Sequence, residues 1–272
     1  MSAAIAELPA LCGIILHPAA HTLSPVLHTA AYDELGIEAR YHAFDVTAEA
    51  LVGAVTGMRA LGIRQLSVSL PHKQAVLELA DRDSESARRI GAANTLTRVG
   101  DEVVADNTDW LGVLRTLEPL SDWTGQRASV LGAGGAARAV VYALLELGMH
   151  VTVVNRTARR AEELAADLGA RVGTLDEPWD LLVNATPVGM HPDSSETPVP
   201  RERLRPGTTV FDTVYRPLET RLLREAGQVG CRTQDGLDML VHQAVEQIRL
   251  WTERSPDPTV LRNAALAALD SL

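Results

Sequence analysis

"RASVLGAGGAARAVVYALLELGMHVTVVNRT", residues 127–157, is the stretch on which the fold turns. A short apolar run, "ASVL", enters a glycine turn, "GAGGAAR" (132–138). A helical period follows in "AARAVVYALLELG", and then a second apolar run, "HVTVV". Strand, turn, helix and strand in that order make the repeating unit of a parallel α/β sheet. The turn has the form G-x-G-x-x-A, on Gly132, Gly134 and Ala137. Gly132 allows the tight turn, Gly134 lets the backbone approach a pyrophosphate, and Ala137 lets helix and strand pack closely. Gly135 and Ala136 open the helix, where free N–H groups and the dipole draw an anion. A purely structural turn is the alternative; the strand before and the helix after favour a dinucleotide site.

The end of the second strand refines the cofactor. An NAD site usually places a carboxylate there for the ribose hydroxyls. This chain has "NRTARR" (155–160), with no carboxylate at Asn155, Arg156 or Thr157. Arg156, Arg159 and Arg160 offer guanidinium forks suited to a 2′-phosphate. Otherwise they are the solvated basic start of the next helix. The substitution points to NADP rather than NAD, and hence to hydride transfer.

Upstream, strands are expected at 11–16, 39–46 and 66–70, with helices at 24–36, 48–62 and 73–80. Ser24 can cap the first helix, Pro25 suits its first turn, and Gly36 can end it. Downstream, "WDLLVNATPVGM" (179–190) and "TTVFDTVY" (208–215) each supply a strand that ends in a polar loop. Residues 237–254 form a long amphipathic helix, with Met239 and Trp251 facing its core side, and "TVLRNAALAALDSL" forms a last one. The chain reads as two α/β lobes, each on a parallel or mostly parallel sheet, with a cleft between them.

The bulk numbers narrow the function. Hydrophobic residues make up 46% of 272, enough for a substantial core and against global disorder. The net charge of −10 disfavours nucleic acid as a partner. No apolar run approaches the length of a membrane span, and the N-terminus lacks the basic and apolar regions of a signal peptide. Cys12 and Cys231 have neither CxxC spacing nor a metal-ligand context, as expected of thiols in a reducing cytoplasm. The eight histidines are scattered, and no metal site is expected. The oligomeric state is open between monomer and homodimer.

Lys73 stands just behind Pro71, at the end of the apolar run "LSVSLPHK". Alone it reads as an ordinary surface lysine at a helix start. Its ammonium would be unfavourable against the helix dipole there, which argues for a functional placement. Thr22 and Ser24, in "HTLSP", are helix caps or ligands of an anion at the helix N-terminus.

Taken in order, "HTLSP" (21–25), "SVSLPHK" (67–73), "GAANTL" (91–96), "DNTD" (106–109), "GAGGAAR" (132–138), "NRT" (155–157), "NATPVGM" (184–190), "VYRPLET" (214–220) and "GLDMLVHQA" (236–244) resemble the shikimate dehydrogenase family. The resemblance implies reversible reduction of 3-dehydroshikimate to shikimate with NADPH, a step in aromatic amino acid biosynthesis. It implies a substrate domain over residues 1–110, completed by 237–272 packing back on it. A Rossmann-type dinucleotide-binding domain would occupy 111–236. Lys73 would be the catalytic lysine and Asp109 its partner. Thr22 and Ser24 would bind the substrate carboxylate, with Tyr215 nearby. Ser69, Asn94 and Gln243 would hold ring hydroxyls. Gly236 and Met239 would lie by the nicotinamide, Thr186 along the cofactor, and Arg156 and Arg160 at the 2′-phosphate.

The chain also departs from the family pattern. Thr22 stands where serine is usual, and Ser67 and Ser69 where asparagine and threonine are usual; the shorter hydroxyls would loosen the hydrogen bonds to the ring. Leu16, Trp110 and Pro187 replace a glycine, a glycine and a serine, with Trp110 expected to fill space at the hinge. These changes leave a quinate/shikimate dehydrogenase of broader specificity as an alternative. A non-catalytic ligand-binding regulator on the same scaffold is disfavoured by the presence of both Lys73 and Asp109.

Overall fold

Residues 127–157 form strand, helix and strand in the computed structural model of the protein, which describes residues 8–19 and 22–271. His21 and most of the segment read for a signal peptide lie outside the described residues. In chain order the strands are β1 (Ala10–Leu16), β2 (Ala39–Asp45), β3 (Gln65–Val68), β4 (Arg82–Asp83), β5 (Thr95–Val99) and β6 (Glu102–Asp106). There follow β7 (Arg127–Leu131), β8 (His150–Val154), β9 (Arg171–Val172), β10 (Leu181–Asn184), β11 (Thr209–Asp212) and β12 (Arg232–Gln234). The helices are α1 (Ser24–Leu35), α2 (Leu51–Ala60), α3 (Glu85–Ile90), α4 (Asp109–Leu117) and α5 (Gly135–Glu146). Then come α6 (Ala158–Leu168), α7 (Arg221–Val229), α8 (Leu237–Thr252) and α9 (Pro258–Asp270). Among the described residues no helix is long and apolar enough to cross a membrane.

The first unit comprises the described residues up to Ser84, then Ala93–Asp106, and the chain from Ala244 onward. Its sheet has the order β2-β1-β3-β5-β6-β4. β2, β1 and β3 run parallel, as alternating strands and helices require. β5 is antiparallel to both β3 and β6, a hairpin that the sequence reading did not register. The two-residue turn Gly100–Asp101 closes it, with Gly100 at φ +63°, a conformation glycine adopts without steric cost. α1 packs on β2 and on α9. Ser24 is the first residue of α1 and not its cap; Leu23 holds the cap position, and no side chain bonds there. Gly36 ends the helix at φ +63°, as expected.

The helix expected at 73–80 is instead a 3-10 helix, Ala75–Leu79, and Lys73 lies in the turn before it. The segment is too short to offset the cost of nucleating an α-helix before the chain turns extended at Ala80. The dipole argument for Lys73 therefore lapses.

The second unit comprises Glu85–Ala92 and Asn107–Gln243. Its sheet has the order β12-β11-β10-β7-β8-β9, and every neighbouring pair is parallel. Counted from β7 this is the 3-2-1-4-5-6 order of the doubly wound dinucleotide fold. α5 is buried on most sides, through Ala137, Ala139, Val140, Val141, Ala143 and Leu144.

Residues 85–92, expected in the first domain, belong to this unit. Ile90 and Ala92 bury against Ala139, and the Arg138 guanidinium donates to the Ile90 carbonyl. Leu237–Gln243 likewise join the second unit, because α4 and α8 approach closely at Gly112. Trp110 packs within the same unit, edge-on to Tyr142 at 5.3 Å.

A Cβ on Gly112 would lie 2.6 Å from the Met239 carbonyl oxygen. Gly112→Ala is therefore expected to destabilise the protein by about 1–3 kcal/mol. At Gly53 in α2 nothing lies within 4 Å, so Gly53→Ala should stabilise by about 0.5–1 kcal/mol through helix propensity. Denaturant unfolding of the two variants should show shifts of opposite sign.

Candidate functional site

Strand order reverses between β7 and β10, and the two loops that leave their carboxyl ends meet there. Gly132 follows β7 at φ +110°, and a Cβ on it would lie 3.0 Å from the Ala185 carbonyl oxygen and 3.1 Å from the Thr186 methyl. Thr186 is thereby brought beside the glycine turn. Gly134 caps α5 in an extended conformation, with no side-chain cap bond and nothing within 4 Å of where its Cβ would point. The first main-chain bond of the helix runs from the Arg138 N–H to the Gly134 carbonyl (3.0 Å). The amides of Gly135, Ala136 and Ala137 thus have no partner within the helix. At the end of β8, Asn155 turns back through its Nδ2 to the Thr157 carbonyl (2.9 Å). Arg159 is held by Glu163 one turn along (2.8 Å), while Arg156 and Arg160 are exposed.

A buried polar cluster fixes the loops after β10 and β11. Asn184 Oδ1 accepts from the Thr186 N–H (3.0 Å) and hydroxyl (2.6 Å). Asn184 Nδ2 donates to Asp212 Oδ1 (2.9 Å), which also accepts from the Val214 N–H (3.1 Å). Thr220 donates to the other carboxylate oxygen (2.7 Å). Burial pushes the Asp212 carboxyl up to about 6. Gly236 closes the arrangement: a Cβ there would lie 2.2 Å from the Thr213 carbonyl oxygen, so only glycine lets α8 begin against the loop that carries Tyr215. Sequence reasoning missed Asn184, Asp212 and Thr220. The available signal was a polar residue closing each apolar strand run, "LLVN" and "TVFD".

In the first unit, Thr22 donates to the Ser24 hydroxyl and accepts from the Ser24 N–H, both at 3.3 Å. The turn after β3 is pinned at several points. The Ser69 N–H donates to the Ile15 carbonyl (3.0 Å), and the His72 N–H to the Ser69 carbonyl (2.9 Å). Buried His72 reaches the Val46 carbonyl with Nε2 (2.7 Å). The Lys73 carbonyl accepts from the Ala93 N–H (2.7 Å), which sets half-buried Lys73 beside Asn94. Asn94 is buried; its carbonyl accepts from the Val68 N–H (2.7 Å) and its Oδ1 from Thr95 (2.9 Å). Ser67 faces inward, between Tyr41 (2.6 Å) and Gln247 (2.8 Å), so its exchange for a longer residue bears on the core and not on ring contacts.

Thr22, Ser24, Ser69, Lys73 and Asn94 therefore belong to the first unit. Asp109, Tyr215, Gly236, Met239 and Gln243 belong to the second, with the glycine turn, Thr186 and residues 155–160. Asp109 opens α4 and is buried, its N–H donating to Asn107 Oδ1 (3.0 Å). Gln243, on α8, turns its Nε2 to the Leu240 carbonyl (2.7 Å), and its own carbonyl accepts from Thr108 (3.0 Å).

Three family models match along the chain. They are the shikimate dehydrogenase substrate binding domain at residues 14–96, shikimate / quinate 5-dehydrogenase at 116–202, and the shikimate 5'-dehydrogenase C-terminal domain at 236–266. An NADP(+) shikimate dehydrogenase of Symbiobacterium thermophilum is 45% identical over 96% of this chain and 95% of its own. The chain belongs to the shikimate dehydrogenase family.

Family structures overlay both units. Shikimate 5-dehydrogenase from Thermus thermophilus, solved with NADP(H) and shikimate, is 42% identical at a TM-score of 0.90 and covers 95% of this chain and 99% of that one. A quinate dehydrogenase from Corynebacterium glutamicum, solved with NAD, is 32% identical at a TM-score of 0.86 and covers 95% and 99%. The family fold thus accommodates more than one hydroxy acid, and specificity rests on individual side chains.

The Asp212 carboxyl titrates higher in the folded protein, about 6, than the usual 3.8. Protonation therefore favours the folded state. The corresponding stability is fully present below pH 3.8 and is lost as pH rises through 6. Stability measured from pH 4.5 to 7 should carry a falling contribution of roughly 2 kcal/mol, absent from Asp212→Asn. Equal slopes in the two proteins would contradict this.

Proposed function

We propose that the chain catalyses the reversible NADPH-dependent reduction of 3-dehydroshikimate to shikimate, on the route to aromatic amino acids. The observation that carries this is the match along both units to an enzyme solved with NADP(H) and shikimate. The first unit is the substrate domain and the second the dinucleotide-binding domain. A reducing cytoplasm suits such a step and the two free cysteines, one of which, Cys12, burial pushes up to about 11.

The residues present fit a phosphorylated dinucleotide. Open space before Gly134, an uncapped helix start and exposed arginines at a strand end without a carboxylate all suit it. Gly132, Gly134, Gly135 and Ala136 would take the pyrophosphate, with Thr186 alongside. Asn155, Arg156, Thr157 and Arg160 would take the 2′-phosphate, and Gly236 and Met239 the nicotinamide. NADPH, when bound, supplies the hydride.

Reducing a ketone needs a proton at oxygen as well as hydride at carbon. We assign that proton to Lys73 Nζ, whose ammonium also stabilises the developing alkoxide. The Asp109 carboxylate shares in the proton transfer. Thr22, Ser24 and Tyr215 bind the substrate carboxylate. Ser69, Asn94 and Gln243 hold the ring hydroxyls, and a site built on such bonds discriminates against acids that lack them.

Oxidation of shikimate and quinate should be measured with NADP+ and with NAD+. Shikimate with NADP+ is the expected pair, and Lys73→Ala should lower kcat about 10³-fold while leaving the NADP+ KM unchanged. Quinate turnover with NAD+ in its place would overturn the reading. Arg156→Ala should raise the NADP+ KM about tenfold and leave that for NAD+ unchanged.

A further inference from the structure

Helix α8 carries a second glutamine, Gln247, one turn beyond Gln243 and 2% exposed. All four hydrogen-bonding positions of its carboxamide are filled. Nε2 donates to the Asn94 carbonyl (3.1 Å) and to Thr95 Oγ1 (3.0 Å). Oε1 accepts from the Ser67 hydroxyl (2.8 Å) and meets His28 Nε2 at 3.2 Å. Burial holds His28 down at about 3, so its ring is neutral and gives Oε1 the Nε2 proton. The Asn94 carbonyl sets the orientation, because turning the amide over would place its oxygen against a group that can only accept.

The consequence passes to Asn94. Thr95 Oγ1 receives a hydrogen bond from Gln247 and donates its own proton to Asn94 Oδ1 (2.9 Å). The Asn94 carboxamide is thereby set with its oxygen toward Thr95 and its NH2 group on the opposite side. We propose that Gln247 is a positioning residue for substrate binding, which acts through Thr95 to make Asn94 a hydrogen-bond donor to a ring hydroxyl. This rests on the substrate role proposed above for Asn94. An apolar side chain of equal length would fill the same space, so the carboxamide serves orientation beyond packing.

The test compares wild type, Gln247→Met, Thr95→Val and the double variant in NADP+-linked shikimate oxidation. Each single variant should raise the shikimate KM about tenfold, with the NADP+ KM unchanged and kcat less affected. The double variant should be no worse than the more impaired single one, since both break one relay. A shikimate KM within twofold of wild type, additive effects, or an equal rise in the NADP+ KM would overturn the proposal. If Gln247→Met does not fold, Thr95→Val alone decides, because it removes the relay and leaves the other Gln247 bonds in place. Wild type that does not turn over shikimate would overturn the substrate reading itself, and this proposal with it.

Discussion

The second unit is organised around one close approach. The main chain at Gly132 comes so near the Ala185 carbonyl that even a Cβ would be crowded between them, and it does so at a φ that L-residues avoid. That contact sits where the sheet changes direction, between β7 and β10. It brings the loop bearing Thr186 against the turn that starts α5. The Asn184–Asp212–Thr220 cluster then holds the next loop in register with the first. A carboxyl buried at this cost in solvation persists because each of its oxygens accepts from a fixed donor. The edge of the sheet is thus a rigid platform before any ligand arrives.

The first unit solves its packing differently. One face of β3 and β5 carries Gln65, Ser67, Thr95 and Thr97, side chains that a buried sheet would ordinarily exclude. They bond to one another and to α8: Gln65 Nε2 reaches Thr97 (3.0 Å) and the Gln247 carbonyl (2.7 Å), while Gln65 Oε1 stays buried without a partner. These bonds tie β3, β5 and α8 together in one arrangement, where an apolar core would have tolerated several. His28 belongs to it as a neutral ring stacked on Tyr41 at 4.0 Å. Residues expected to touch substrate lie at its margin, so their orientation is inherited from groups that touch nothing but protein.

How much of this was legible varies with the distance in sequence between the parts. The β7–α5–β8 unit, the glycine turn and the missing carboxylate at residues 155–157 are local, and each could be read from neighbours along the chain. The β5–β6 hairpin was missed because "GAANTL" and "DNTD" carry turn-forming residues at both its ends, which masked the short strands between them. The α-helix expected behind Pro71 failed because periodicity over eight residues does not separate an α from a 3-10 helix. That residues 85–92 group with the second unit is not written in "ESARRIGA", because nothing there says that Arg138, far along the chain, will bond the Ile90 carbonyl.

By itself the sequence determined the class of fold, the cofactor turn and the ordered motifs that mark the family, because strand and helix periods and glycine turns are properties of adjacent residues. Only the tertiary structure decided that Ser67 faces the core, that Asp212 lies buried beneath the loops, and that Gln247 governs Asn94. Those depend on pairings across 28 to 180 positions of chain. A hydrogen bond of that reach is chosen by which elements pack together, and no local pattern records it.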